Sequence, residues 1–136
     1  MLQVLFYAHS WLRWLILLAA AIAIAKYLIG LAGKREFDKM SGGLTSAFSG
    51  LMDLQVVLGL IYFLWSGFAG AGFPRQRIEH LAVMIIAAVV AHLPAIWKSK
   101  SAAVRYRNTL LAVLVSLLLV VVGVFTLSGD RWVFRL

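Results

Sequence analysis

The sequence predicts an all-α integral membrane protein, a single domain of four transmembrane helices packed as an antiparallel bundle with both termini on the non-cytoplasmic side. Three observations predict it. Of 136 residues, 63% are hydrophobic and only 13% are charged, against about half and about a quarter in a soluble domain. A chain this short buries only about 60–70% of the surface it exposes when unfolded, so a soluble fold has nowhere to put the excess. The apolar residues also fall into four long runs, and the connectors between them are short and either charged or glycine-rich. This pattern argues against a soluble enzyme, a disordered tail and a nucleic-acid-binding domain.

The first span covers about residues 4–32 and is cleanest from Trp14 to Ala25, between Arg13 and Lys26. No Lys or Arg precedes its apolar start and Arg13 lies inside it, so it reads as a retained helix and not a cleaved signal peptide. The second span covers about 44–67, with Asp53 its only formal charge. The third covers about 79–97 and the fourth about 109–127. Each is long enough for a ~30 Å hydrocarbon core at about 1.5 Å per residue. Lipid admits only helices and closed barrels, and continuous apolar runs without alternation select helices. The connectors 33–43, 68–78 and 98–108 are short, which makes consecutive helices antiparallel neighbours.

The charges orient this bundle. Lys26, Lys34, Arg35 and Lys39 lie around the first connector, and Lys98, Lys100, Arg105 and Arg107 lie in the third. The opposite side holds Arg13, Arg75, Arg77, Arg131 and Arg135. Basic loops stay in the cytoplasm, so both termini fall on the other side. The net charge of +8 then serves topology and anionic headgroups and not a nucleic-acid partner. Tyr7, Trp11, Trp14, Trp65, Trp97, Tyr106 and Trp132 cluster near span ends, as an aromatic belt does. The absence of cysteine removes disulfides, thiolate metal sites and covalent haem attachment.

Ionisable groups inside a span are costly and therefore candidates for function. His9 lies a short way into the first span from the outer side, and His80 lies at the first turn of the third from the same side, so the two share a depth. At about 100° per residue the stripe through His9 continues through Arg13, Ile16, Ala20 and Ala23, and the stripe through His80 through Met84, Ala87, Ala91 and Pro94. Opposed, these faces form an alanine-lined slot capped by two imidazoles. A b-type haem needs such a pair of axial ligands from facing helices and no thioether. Arg13, or Arg75 and Arg77 nearby, can pair with propionates, and Glu79 can orient an imidazole N–H. The competing account is that small residues serve helix packing and that headgroup-level histidines snorkel to water.

His92 lies twelve residues beyond His80, a rotation of about 120° and a rise of roughly 18 Å. That suits a second ligand on one face poorly unless Pro94 distorts the helix. Pairing of His92 with His9 survives only if the first span dips or tilts. A buried hydrogen bond to Asp53 or Gln55 fits His92 better, with Lys26 the other candidate partner for Asp53. A proton path through Asp53 and His92 stays open. On span two, Gln55, Gly59, Tyr62 and Ser66 form a polar face about 160° from Asp53, suited to interhelical hydrogen bonds and a glycine contact, to the cofactor slot, or to a quinone headgroup. Met84 with His80 admits a copper reading, but no Met-rich motif accompanies it.

The run from His9 to Trp14 (HSWLRW), Asp53-Leu54-Gln55 followed by Gly59, and Glu79-His80 with Met84 and His92 resemble a group of small four-helix bacterial membrane proteins labelled cytochrome-b-like. The resemblance spans almost the whole chain. It implies haem b in a bacterial cytoplasmic membrane, with His9 and either His80 or His92 as axial ligands. Three functions compete. One is an electron carrier working near the outer face, alone or as a subunit of a respiratory or photosynthetic complex. The second is a cofactor-free accessory subunit of a larger membrane assembly, and the third a small transporter or channel. A homodimer contributing further histidines is compatible with the first. No nucleophile–base pair or carboxylate pair marks a stand-alone enzyme.

Overall fold

The computed structural model describes residues 1–127. Arg131, Arg135 and Trp132, counted above for topology and the aromatic belt, lie outside the described residues. Four helices carry the chain: α1 (Leu2–Ala32), α2 (Lys39–Ser66), α3 (Arg75–His92) and α4 (Ala102–Phe125). No strand occurs among the described residues. All four helices, α3 together with the turn that follows it, are long and apolar enough to cross a membrane. The chain is an integral membrane protein by that measure. Its outward faces carry large exposed apolar side chains such as Leu18, Ile61, Ile86 and Leu118, as expected of helices solvated by lipid.

All four helices begin before the apolar spans do, because hydropathy marks only the part at hydrocarbon depth and caps lie outside it. The Asp38 carboxylate accepts the Ser41 N–H (2.9 Å) and starts α2 at Lys39. Ser101 caps α4 by accepting from Val104 N–H (3.4 Å). These side chains satisfy donors that the first turn leaves orphaned. Pro74 precedes α3, where its missing N–H costs nothing. Two ends depart from α geometry. After Ser66 the chain makes a π turn, Gly67–Ala71, and then reverses at Gly70 (φ +128°) and Gly72 (φ +70°), a backbone that glycine adopts without steric cost. After His92 a 3-10 turn, Leu93–Trp97, contains Pro94, so the distortion expected near Pro94 ends the α-helix at His92.

The inward stripes follow the helical periodicity. Ile16, Ala20, Ala23 and Tyr27 of α1 meet Met84, Ala87 and Ala91 of α3, Phe48 and Met52 of α2, and Val113 and Val120 of α4. Ser116 of α4, fully buried, donates to the Ala87 carbonyl (2.8 Å) and so keeps its hydroxyl satisfied within the core. The end of the bundle holding the basic connectors is closed by Tyr106. Placed in the aromatic belt from sequence, it is in fact fully buried. Its hydroxyl donates to the Glu36 carbonyl (2.7 Å) and lies 3.0 Å from the Ser41 hydroxyl. Its ring fills the space a Gly30 side chain would take and packs on Phe37, with centroids 4.9 Å apart, while Arg105 caps Phe37 from 4.0 Å. One buried phenol thus ties α4 to α1, α2 and the connector between them. The belt expectation failed because span-end position gives depth but not which way a ring faces.

Lys26 also differs from expectation. Its ammonium bonds the Asp38 carboxylate (2.9 Å) and not Asp53, since Asp38 lies at the same end of α1. Lys26 first, then the Ser41 amide and hydroxyl, hold the Asp38 carboxyl well below the usual carboxylate range.

Two outcomes follow. Gly30→Leu forces its side chain into the Tyr106 ring, whereas Tyr106→Phe removes only the hydroxyl and costs about 1 kcal/mol. Denaturant titration in mixed micelles should therefore rank Gly30→Leu well below Tyr106→Phe, and equal stabilities would contradict this seat. A depressed carboxylate stabilises fully above its unfolded pKa and loses that contribution as pH falls through its folded value. The stability difference between wild type and Asp38→Asn should accordingly hold from neutral pH down to about pH 5, and shrink only below the ordinary carboxylate pKa of about 3.9.

Candidate functional site

At the opposite end of the bundle, all four helices part around a cavity of 360 Å³. That falls in the range of small-molecule sites, roughly 300–1,000 Å³. Its walls are mostly apolar and aromatic, with Phe6, Tyr7, Trp11, Trp14, Tyr62 and Phe63 among them. Tyr7, Trp11 and Trp14, read from sequence as belt residues, line it. The polar groups that converge on it are His9, Arg13, Gln55, Arg77 and His80.

The two histidines are seated differently. His9 on α1 lies against Gly59 of α2, where an added Cβ would stand 2.8 Å from its Cε1. Gln55, one turn earlier on α2, donates from Nε2 to the main-chain carbonyl of His9 (2.8 Å) and so ties the two helices beside the ring. His80 on α3 donates from Nδ1 to the Gly123 carbonyl of α4 (2.8 Å). A carbonyl only accepts, so the proton sits on Nδ1 and Nε2 carries the lone pair. The ring centroids are 6.3 Å apart with planes at 86°. The residues read from sequence as sharing a depth are therefore adjacent.

That separation has a chemical reading. Imidazole nitrogens are common metal ligands, and two rings this close could hold one metal-centred group between them. His9 Nδ1 is buried and has no hydrogen-bond partner among the described residues; Gln55 Oε1 is the same. Buried polar atoms are nearly always satisfied, and exceptions gather where a ligand or water completes the set. Among the described residues no group of three or more His, Asp or Glu is placed to hold a bare ion. What the cavity offers is an imidazole pair across an apolar, aromatic-walled space.

Several expected roles change. Glu79 bonds Arg75 (2.7 Å) on the exposed surface, and the group that orients His80 is the Gly123 carbonyl instead. Backbone carbonyls carry no side-chain signal, so sequence left this partner out. Arg77 commits most of its N–H groups to the turn above the cavity, donating to Gly72 O (2.8 Å), Phe63 O (3.4 Å) and the Ser66 hydroxyl. Its guanidinium also lies 5.3 Å from the Phe63 ring centroid. Arg13 remains beside the cavity, 5.2 Å from the Trp14 ring centroid. Ala20, Ala23, Ala87 and Ala91 do not line an open slot. They are packed shut in the core, and from those two stripes Arg13, Ile16 and Met84 reach the cavity below the histidines. Met84 places its methyl where a Gly123 side chain would go. Of the polar face of α2, Gln55, Gly59 and Tyr62 line the cavity, and Ser66 receives Arg77.

His92 lies elsewhere. Its Nε2 is 2.8 Å from both Asp53 carboxylate oxygens, so the expected partner is the observed one. The pair is not buried, however: both side chains are about half exposed, at 52% and 51%. Neither His92 nor Asp53 lines the cavity, and pairing of His92 with His9 does not occur.

No family model, curated protein or solved structure matches the chain.

Arg77 is the staple of the glycine turn. In Arg77→Ala, amide hydrogen exchange over residues 67–73 should accelerate at least tenfold while the Tyr106 end keeps its protection. Unchanged exchange there would show that the turn holds without the guanidinium.

Proposed function

We propose that the chain is a b-type haem membrane protein that relays electrons near the outer face of a bacterial cytoplasmic membrane. The carrying observation is the His9–His80 pair, 6.3 Å apart at the edge of an apolar cavity among four helices. The unsatisfied, buried His9 Nδ1 and the His80 tautomer set by Gly123 support the same reading. When bound, haem would supply a one-electron couple there, with a potential that depends on the side chains holding it and on burial.

The chain's own groups have distinct tasks in this reading. His9 and His80 would hold the haem iron. The Gly123 carbonyl orients His80 and raises its basicity through the Nδ1–H bond. Gly59 lets the His9 ring approach α2 closely enough to face His80. Arg13 would supply positive charge for the propionates, and the aromatic walls would exclude water, lowering the local dielectric. The remaining polar wall, Gln55 and Tyr62, is the place for a quinone headgroup that exchanges electrons with the site.

In this reading the helices run antiparallel, with both termini periplasmic. The gathering of Lys26 with Asp38, and of Arg105 with Phe37, supports it, because basic residues of the first and third connectors then share the cytoplasmic side. The cavity falls on the periplasmic side, within reach of a partner complex.

The purified protein, expressed with ample haem, should give sharp reduced α and Soret bands. His9→Ala and His80→Ala should each abolish them, Gly59→Val should cut haem content at least fivefold, and His92→Ala should keep the bands. A colourless wild type, or bands that survive both cavity histidine variants, would overturn the assignment.

A further inference from the structure

The Asp53–His92 pair is an ionisable constellation midway along α2 that the cavity does not use. Asp53 lies fourteen residues past the first residue of α2, about 21 Å along the axis, and thirteen before its last. His92 lies inside the apolar span that runs from Arg75 to Trp97. Both are thus at hydrocarbon depth, yet each side chain is about half exposed on the outside of the bundle. Ionisable groups at that depth normally face a bundle interior or a water-filled path. Here they are turned toward lipid, next to apolar Leu54, Val57 and Val89, which are exposed as well.

We infer that this face is an interface between two copies of the chain, with the Asp53–His92 pairs of the copies meeting across a two-fold axis. The inference does not rest on the haem reading. Charge complementarity selects the occupant. A two-fold interface brings a patch against itself, so the patch must carry both halves of each contact. This one does: the carboxylate has acceptor capacity beyond the single His92 Nε2 it meets, and a protonated imidazole donates from its second ring nitrogen as well. Two such pairs apposed close a ring of four alternating groups and take all of them out of lipid. The adjoining face of α2 is compatible with close approach, since Gly43 and Gly50 are exposed and a Cβ at either would meet nothing within 4 Å. Small residues of this kind let two helix backbones come together in a membrane.

The chain has no cysteine, which makes crosslinking clean. The full-length protein carrying Gly50→Cys, reconstituted in lipid vesicles at about one protein per several thousand lipids and mildly oxidised, should run as a dimer. Leu118→Cys, on the exposed face of α4, should stay monomeric. In detergent, light scattering should give a dimer for wild type. Asp53→Asn and His92→Gln should each weaken it at least tenfold. Both variants should keep the wild-type helical content and the wild-type cavity spectrum, whether or not that spectrum contains haem. A monomeric wild type, equal crosslinking at residues 50 and 118, or dimer affinity unchanged in both polar variants would overturn the proposal. So would a stoichiometric complex in which a different protein occupies this face.

Discussion

Lipid gives apolar helices no hydrophobic reason to prefer one another, so association depends on how closely their surfaces fit. In this bundle a glycine sets the fit at several of the junctions. Gly30 of α1 takes the Tyr106 ring of α4, Gly59 of α2 takes the His9 imidazole of α1, Gly123 of α4 takes the Met84 methyl of α3, and Gly67 takes the Phe73 ring beside the turn. Each seat lets a large side chain sink to the backbone of its neighbour. A Cβ at any of them would displace the seated group. The cavity and the closed end alike are consequences of where these seats fall.

The two ends of the molecule differ in how they treat polar groups. At the Tyr106 end the polar atoms are used up: the phenol, the Ser41 hydroxyl, the Asp38 carboxylate and the Lys26 ammonium form one connected set. At the histidine end the backbone is equally well held, by Gln55 on the His9 carbonyl and by Arg77 on the glycine turn, but side-chain atoms facing the cavity are left unsatisfied. A fully satisfied network rigidifies, and an unsatisfied one is stable only where something else completes it. That asymmetry favours the histidine end as the place for a ligand. Both ends share one core, so the closed end serves to hold the other in register.

Much of this was legible in residue spacing. The stripes Ile16–Ala20–Ala23 and Met84–Ala87–Ala91 are the inward faces of α1 and α3 because a helix repeats every 3.6 residues, whatever surrounds it. The common depth of His9 and His80 follows from counting residues from the span ends. What counting does not supply is separation between helices. It suggested an alanine-lined slot, whereas the alanines are packed shut in the core they share with α2 and α4, and the space opens one level further out, among Trp11, Trp14 and Phe63. Tyr106 and Asp53 show the same gap in opposite senses. A residue expected at the interface is buried, and one expected to be buried is half exposed, because rotation about each helix axis is decided by all of its neighbours at once.

The amino-acid sequence by itself determined that this chain is helical, that it has four segments able to span a bilayer, and which face of α1 and of α3 turns inward. Composition and periodicity are local properties, and they survive any arrangement of the helices. Only the tertiary structure decided that His80 takes its partner from the Gly123 carbonyl, that Arg77 staples a glycine turn, and that Asp53 and His92 meet on the outside. Those contacts join residues far apart in the chain, and their distances depend on interhelical separations that the glycine seats set.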